Sequence, residues 1–424
     1  MKTEIQEKKN SILYTIILLL IIGMPLQSMV FDALIPSKID NLWRDFLLVF
    51  GLLVAIYQNR GRIQLGKNGV LILSSSMICL LYTLLSDRVL IAMNLFRTYV
   101  LPMFIYLIII NSIELNEESI RRLKKVFIIS ASILAAWGIF QAWVLGDDFL
   151  IKIGYPSIGG YLRSYGFYIG GFYGYQRVAS TFSAPNIAGV YFGISSLITA
   201  TELKNSKRNL LFLVVQILAL VLTFSRSAIL GTLIAFLFYY RSRLFFFKLR
   251  IRPLYLIILI SVPIAVWFAD NFFLDGTIMN MISRSLSSTV NLTDPSAAKH
   301  LTDLWEPIDT ILEHPFGLGL GYNGPIVLAQ FGVANLVESS YYLLAYNFGI
   351  LGMFVYVLPY IKAIFANLFY KRMAVSAAIC LLLLVTYFLL PNVETYEIIF
   401  FAYLFIAFDE VSFNAHEEVG LQLA

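Results

Sequence analysis

Long apolar runs, separated by short polar connectors, repeat along almost the whole chain. Each run approaches the roughly 20 residues that an α-helix needs to cross the hydrocarbon core of a bilayer. The pattern therefore predicts about twelve transmembrane helices. These fall near residues 11–31, 42–57, 69–86, 90–110, 126–146, 186–202, 210–225, 227–240, 253–270, 338–361, 374–390 and 396–408.

The connectors sort by charge. With the N-terminus taken as cytoplasmic, about two thirds of the 31 Lys and Arg residues fall in connectors on the cytoplasmic side, which is the known bias of membrane proteins. Both termini are then cytoplasmic, and the two long connectors, 147–185 and 271–337, are extracytoplasmic loops. The second loop contains apolar residues at helical spacing, which predicts an amphipathic helix ending before His314. Because loops commonly carry function, we expect the site on the extracytoplasmic face.

Composition supports a membrane protein. The chain is 59% hydrophobic and 13% charged, whereas soluble domains carry about 25% charge. The predicted fold is therefore an all-α polytopic membrane protein, with residues 1–424 forming a single transmembrane domain. The two cysteines, Cys79 and Cys380, lie in predicted helices and form no disulfide framework. The net charge of +5 is small, and we expect no nucleic-acid partner.

Four lone arginines, Arg97, Arg177, Arg226 and Arg284, lie in or beside apolar runs. Arg177 is close to Asn186 in the sequence. One interpretation is that its long aliphatic side chain snorkels, so that the guanidinium group lies at the membrane interface. Two guanidinium groups at the outer ends of different helices can instead bracket a diphosphate, because the planar arginine fork matches phosphate oxygens. The outer face offers too few acids in apolar surroundings to pair with all four. A phosphate-bearing ligand is therefore the predicted partner.

One carboxylate and two histidines are candidates for proton transfer. Glu338 opens the apolar run 338–361. The helix dipole alone favours a carboxylate there, and the functional alternative is a general base that deprotonates a sugar hydroxyl. His300 and His314 are the other candidates, because histidine is the residue type most often used for proton transfer. His314 precedes Pro315 at a helix end, so His300 is preferred for binding substrate.

A segment rich in glycine and tyrosine, residues 154–175, precedes Arg177. It is either an interfacial aromatic belt or a mobile loop whose rings stack on sugars. Tyr173, Tyr175 and Tyr322 are the predicted sugar contacts. The outer side has no Asp-x-Asp pair and no cluster of histidines and carboxylates, so we expect neither a metal nor another cofactor.

Several short blocks occur in an order that resembles the O-antigen polymerase and O-antigen ligase superfamily of bacterial envelope proteins. The blocks are Arg177–Gly189, Leu222–Ser227, His300–Trp305, His314–Gly319 and Glu338–Leu343, followed by Asn347–Gly352. The resemblance implies a glycosyltransferase-C-like fold in the bacterial cytoplasmic membrane. It also implies metal-independent, inverting transfer of glycans linked to undecaprenyl diphosphate at the outer leaflet. Ligases of the superfamily commonly carry a histidine where this chain has Glu338, and relatives often carry an arginine in place of His300.

The sequence and the resemblance together predict a polysaccharide polymerase. It would transfer a growing glycan from undecaprenyl diphosphate to a lipid-linked repeat unit, with a chain-length regulator protein as a candidate partner. Arg177 and Arg226 would hold the diphosphate, and Glu338 would activate the acceptor. The remaining predicted substrate contacts are Arg97, Arg284, His300, Asn186, Tyr173, Tyr175 and Tyr322.

Two alternatives stay open. An O-antigen ligase would move finished glycan onto lipid A core or a protein. A lipid-linked oligosaccharide flippase would also have many helices and buried cations, but it would place its charges near the middle of the bilayer.

Overall fold

The apolar runs of the sequence become α-helices in the structure, which is a computed structural model. It describes residues 2–28, 42–112, 115–152, 157–158, 161–162, 167–169, 172–204, 206–245, 307–331, 339–369 and 375–422, with single residues 280, 283, 305 and 337. The helices are α1 (Lys2–Gly23), α2 (Leu42–Gln58), α3 (Gly69–Leu84), α4 (Val89–Val100), α5 (Phe104–Ile110), α6 (Glu117–Phe140), α7 (Gly146–Lys152), α8 (Pro185–Thr201), α9 (Arg208–Leu222), α10 (Arg226–Phe245), α11 (Pro325–Phe331), α12 (Ser340–Phe369), α13 (Val375–Thr386) and α14 (Tyr396–Gln422).

Most predicted runs coincide with these helices, and the run at 253–270 lies outside the described residues. Within the described chain, three helical segments are long and apolar enough to cross a membrane: Val89–Ile110, Glu117–Leu145 and Ser340–Phe369. The protein is therefore a membrane protein, as predicted. The number of spans and their sidedness stay predictions.

Local chemistry explains several helix boundaries. Asn116 caps α6 by accepting a hydrogen bond from the Ser119 backbone at 2.9 Å. α8 begins with Pro185. Proline is favourable at this position because the N–H groups of the first helical turn have no hydrogen-bond acceptor within the helix, so the missing N–H costs nothing. Pro102 lies in the 3-10 turn Leu101–Met103 that separates α4 from α5, since proline cannot donate within a helix.

The connector 147–185 contains two short antiparallel hairpins. β1 (Ser157–Ile158) pairs with β2 (Tyr161–Leu162), and β3 (Tyr168–Ile169) pairs with β4 (Phe172–Gln176). Aromatic residues, which are frequent in these short strands, favour strand conformation. β4 leads directly into Arg177.

The centre of the bundle is α8 together with α14. Between residues 398 and 408 every side chain of α14 is buried, and α8 is buried from Ala188 to Ala200. A helix that is apolar on every side must be surrounded by other elements or lipid. Phe127 of α6 packs on Tyr191 and Phe401 with ring centroids 5.7 and 5.0 Å apart, which joins α6, α8 and α14.

A buried glutamine links three helices. Gln216 of α9 accepts a hydrogen bond from the Thr199 hydroxyl at 2.8 Å and donates one to Ser132 Oγ at 2.9 Å.

Replacing Gln216 with leucine is expected to lower the free energy of unfolding by about 1 kcal/mol, a typical value for one such contact in a membrane. Unfolding in detergent measures it, with Val215→Leu as the apolar control. Equal stability of the two variants would contradict a stabilising role.

α12 breaks at Gly349, whose backbone has φ 71° and ψ 174°. The Ile350 N–H donates to the Pro315 carbonyl at 3.0 Å, and the Leu318 N–H donates to the Tyr346 carbonyl at 2.6 Å. The break is therefore satisfied by another segment of the chain, as a membrane interior requires. This pairing fixes the segment 315–318, from which the chain continues toward the candidate active site.

Candidate active site

A polar cavity of about 250 Å³ lies where several helix ends meet. Its walls come from the segment after α1, from α4, from the first turns of α2, α8, α11 and α14, and from the turn before α14. These helix ends are predicted from the charge pattern to face the extracytoplasmic side. The polar lining includes Gln27, Arg44, Asn94, Arg97, Glu394 and Glu397.

Two ion pairs brace one wall of this cavity. Arg44 Nη1 lies 3.0 Å from Glu397 Oε1, and Arg97 Nε lies 3.2 Å from Asp45 Oδ2. Tyr396 donates a hydrogen bond to Asp45 Oδ1 at 2.7 Å, and its ring lies 3.9 Å from the Arg44 guanidinium. Asp45 and Glu397 occupy the first turns of α2 and α14, where the helix dipole favours negative charge. Arg97, one of the four lone arginines of the sequence, therefore has an acidic partner within the protein.

Glu394 places a carboxyl group in the cavity from the 3-10 turn Asn392–Glu394. Its side chain is nearly buried, and it accepts hydrogen bonds from the Tyr99 hydroxyl and the Ile326 N–H, each at 3.1 Å. Burial raises the pKa of Glu394 to about 7, although the hydrogen bonds from Ile326 and Tyr99 oppose the rise. The carboxyl therefore changes protonation near neutral pH, which suits proton transfer.

Arg177 joins three elements through one side chain and its own backbone. Its N–H donates to the Phe167 carbonyl at 2.7 Å, next to β3. Its Nε donates to the Thr223 carbonyl at the end of α9, and its Nη2 donates to Asn186 Oδ1 in the first turn of α8, both at 2.6 Å. The adjacent Val178 N–H also donates to the Leu222 carbonyl at 3.0 Å. Two sequence blocks that are distant in the chain, 177–189 and 222–227, are therefore one structural unit.

Arg226, the exposed first residue of α10, lies close enough to Arg177 to repel it. Burial, with a further contribution from this repulsion, lowers the pKa of Arg177 to about 10. Arg177 remains positively charged at neutral pH. The structure thus brings these two predicted residues together as a pair of like charges.

Arg177 is connected to the wall of the polar cavity through Asn186. Asn186, which accepts a hydrogen bond from Arg177, lies between Ser183 and Ile187 in the chain, and both of these residues line the cavity. Arg177, Arg226 and Asn186 are not themselves among the residues that line it.

Several predicted site residues lie where the structure gives no side-chain position. Glu338, Arg284 and His300 are outside the described residues. Tyr173 and Tyr175 lie in β4, but their side chains are not described. Their roles stay predictions.

Tyr322 lies in the loop that leads to α11. Its hydroxyl donates to Asp87 Oδ2 at 3.3 Å, and the Arg88 guanidinium lies 4.6 Å from its ring centroid. Arg88 also donates to the Gly321 carbonyl at 3.1 Å. Tyr322 is half-buried and is not among the residues that line the cavity, so the structure places it beside the connector between α3 and α4.

Sequence reasoning missed Asp45, Glu394 and Glu397. The signal for the two glutamates was the polar break 391–397 between two apolar runs, since carboxylates in so short a break must lie close to the membrane. Among the residues that the structure describes, no group of three His, Cys, Asp or Glu side chains could hold a metal ion. Metal-independent chemistry stays a prediction.

Comparison with known proteins finds one family that part of the chain matches. Residues 211–357 match the family model described as O-Antigen ligase. The matched region includes Arg226, the α12 break and Glu338, and it begins after Arg177. No curated protein matches the chain. The resemblance to the O-antigen polymerase and O-antigen ligase superfamily that the sequence blocks predicted is thereby confirmed as a similarity, over residues 211–357.

Proposed function

We propose that this membrane protein is a polysaccharide polymerase of the extracytoplasmic face. It transfers a growing glycan from undecaprenyl diphosphate to the terminal sugar of a lipid-linked repeat unit. The observation that carries the proposal is the pair of mutually repelling guanidinium groups, Arg177 and Arg226, of which Arg177 is hydrogen-bonded to Asn186, the chain neighbour of the cavity-lining residue Ile187. The family match supports the wider class of polymerases and ligases.

The arginine pair is suited to a diphosphate. Two like charges held near each other are relieved by an anion that contacts both, so a doubly charged group gains more than a single carboxylate would. Arg177 is already fixed by Thr223 and Asn186, and it therefore loses little side-chain freedom on binding. As the bond to the sugar breaks, negative charge grows on the leaving diphosphate, and the preorganised arginines stabilise it.

The acceptor hydroxyl oxygen attacks the anomeric carbon while the bond from that carbon to the diphosphate oxygen breaks, with inversion. The hydroxyl proton passes to a carboxylate, for which the sequence proposes Glu338. The remaining proposed substrate contacts are Arg97, Arg284, His300, Asn186, Tyr173, Tyr175 and Tyr322.

A ligase is the second candidate, because the matching family model is described as O-Antigen ligase. The presence of Glu338 where the superfamily's ligases commonly carry histidine favours the polymerase. Both candidates use the same kind of donor and differ in the acceptor.

Supplying only lipid-linked repeat units to the reconstituted protein separates the two candidates. We expect a ladder of lipid-linked products, measured by gel electrophoresis of the labelled glycan, and no fall in rate after chelator treatment. A protein that forms no ladder until lipid A core is added is a ligase, and the polymerase proposal then fails.

A further inference from the structure

Two buried glutamates are held in the same way at different places in the bundle. Glu394 accepts from the Tyr99 hydroxyl and from a backbone N–H. Glu410 of α14 accepts from the Tyr106 hydroxyl at 2.8 Å and from the Lys67 N–H at 2.6 Å. Both side chains are 8% exposed. Lys67 lies in the connector after α2, whereas the cavity lies at the start of α2, so the two glutamates mark opposite ends of that helix.

Only the first of these two glutamates lines the polar cavity. Each carboxylate oxygen has two acceptor positions, and each oxygen of Glu394 accepts one hydrogen bond from the protein. The carboxylate therefore retains acceptor capacity at the cavity wall. The charged and titratable groups around this part of the cavity are Arg97 and Tyr99 from α4, Arg44 and Asp45 from α2, and Tyr396 and Glu397 from α14.

Charge compensation does not explain why Glu394 is there. The arginines of this wall already have acidic partners, Arg44 in Glu397 and Arg97 in Asp45. A third carboxyl group, buried without an ion pair among the residues that the structure describes, costs free energy when it is ionised. Proteins place such groups where a proton must be exchanged, or where a loop must be anchored, and Glu410 exemplifies the anchoring role alone.

We infer that this cavity is the acceptor-sugar subsite of the proposed transferase, with Glu394 as the group that takes the proton from the acceptor hydroxyl. The inference rests on the proposed function, and it assigns the acceptor proton to Glu394 in place of Glu338. At about 250 Å³ the cavity suits a single sugar ring, since it is smaller than typical drug-sized pockets. Gln27 and Asn94 supply amide groups that can bond sugar hydroxyls.

In the transfer step one bond forms and one bond breaks. The acceptor oxygen forms a bond to the anomeric carbon of the donor, the bond from that carbon to the diphosphate oxygen breaks, and the electron pair leaves with the lipid diphosphate beside Arg177 and Arg226. The proton of the acceptor hydroxyl moves to the Glu394 carboxylate and then to solvent. The base must start ionised, so the rate should rise as pH increases through the pKa of Glu394.

The first test compares Glu394→Gln with Glu410→Gln in reconstituted protein, supplied with lipid-linked repeat units at pH 5.5 to 8.5. We expect Glu394→Gln to reduce kcat about 100-fold or more, the usual scale for removing a general base, with a smaller change in KM. Glu410→Gln makes the same chemical change to a carboxyl with the same kinds of hydrogen-bond donor. It should keep the pH profile of the unmodified protein.

The second test moves the pH profile without removing the carboxylate. The Tyr99 hydroxyl stabilises the ionised form of Glu394, so Tyr99→Phe should raise its pKa and shift the rising limb of the kcat profile to higher pH. Tyr106→Phe removes the matching hydroxyl from Glu410 and should leave the limb in place. A carboxylate that only anchors a loop would change thermal stability without moving this limb.

The inference is overturned if Glu394→Gln keeps the kcat and the pH limb of the unmodified protein. It is also overturned if the rise of kcat with pH occurs at the same pH in Tyr99→Phe as in the unmodified protein, while Glu338→Gln abolishes that rise. Neither result affects ladder formation by the unmodified protein, on which the proposed function depends.

Discussion

Replacing Arg177 with lysine should reduce the rate of polymer formation about 10²- to 10³-fold, the scale of losing a preorganised donor to developing charge. Lysine keeps the positive charge, but its ammonium group is compact and lacks the planar pair of donors of a guanidinium group. It cannot donate to both the Thr223 carbonyl and the Asn186 amide while facing a diphosphate. The rate of ladder formation and the chain-length distribution measure the effect, and a thermal unfolding curve separates it from misfolding.

Arg241→Lys is the matched control. Arg241, near the other end of α10, donates to the Phe238 carbonyl and to Asn367 Oδ1, both at 2.7 Å. It therefore has the same two kinds of partner as Arg177 but does not line the cavity. We expect this variant to retain its polymerisation rate. If Arg177→Lys makes polymer of full chain length at the same rate as Arg241→Lys, the prediction that the guanidinium group of Arg177 is required is wrong.

Replacing Gly349 with alanine should destabilise the fold by about 3 kcal/mol or more, since it combines a forbidden backbone region with a steric clash. At φ 71° and ψ 174°, a Cβ atom would lie 2.6 Å from the Pro315 carbonyl oxygen and from the Phe316 carbonyl carbon. Both are backbone atoms of the segment that satisfies the helix break, so they cannot move without losing those hydrogen bonds. Unfolding in detergent and the yield of folded protein measure the loss.

Gly61→Ala isolates the backbone part of this effect. Gly61 has φ 79°, and an added Cβ atom would meet nothing within 4 Å. Alanine there should cost only the left-handed conformation, about 1–2 kcal/mol. Equal losses at Gly61 and Gly349 would contradict the predicted clash between the added Cβ atom and residues 315–316.

Part of the candidate site was readable from the sequence because it depends on short segments. Arg177 and Asn186 are nine residues apart, and they interact directly. Arg226 was readable as a charge at the junction of two apolar runs. The link between these segments, from Arg177 to the Thr223 carbonyl, involves a backbone group and leaves no mark in the side-chain pattern.

The carboxylates of the cavity could not be assigned in this way. Arg44 meets Glu397 across 353 positions of the chain, and Tyr396 meets Asp45 across 351. Glu394 acquires its environment from Tyr99 and from the first turn of α11. These neighbours depend on how the helices pack. Without that packing, the sequence does not distinguish a charged connector residue that faces the cavity from one that does not.

The sequence by itself determined that the chain is a largely helical membrane protein, that it resembles the O-antigen polymerase and ligase superfamily, and where most of its helices lie. Hydrophobic periodicity and run length are local properties, and the apolar solvent acts on each run separately. Only the tertiary structure decided which charges neutralise one another and which carboxyl group faces the cavity. Coulomb interactions and burial depend on distance in space, which the order of residues does not specify.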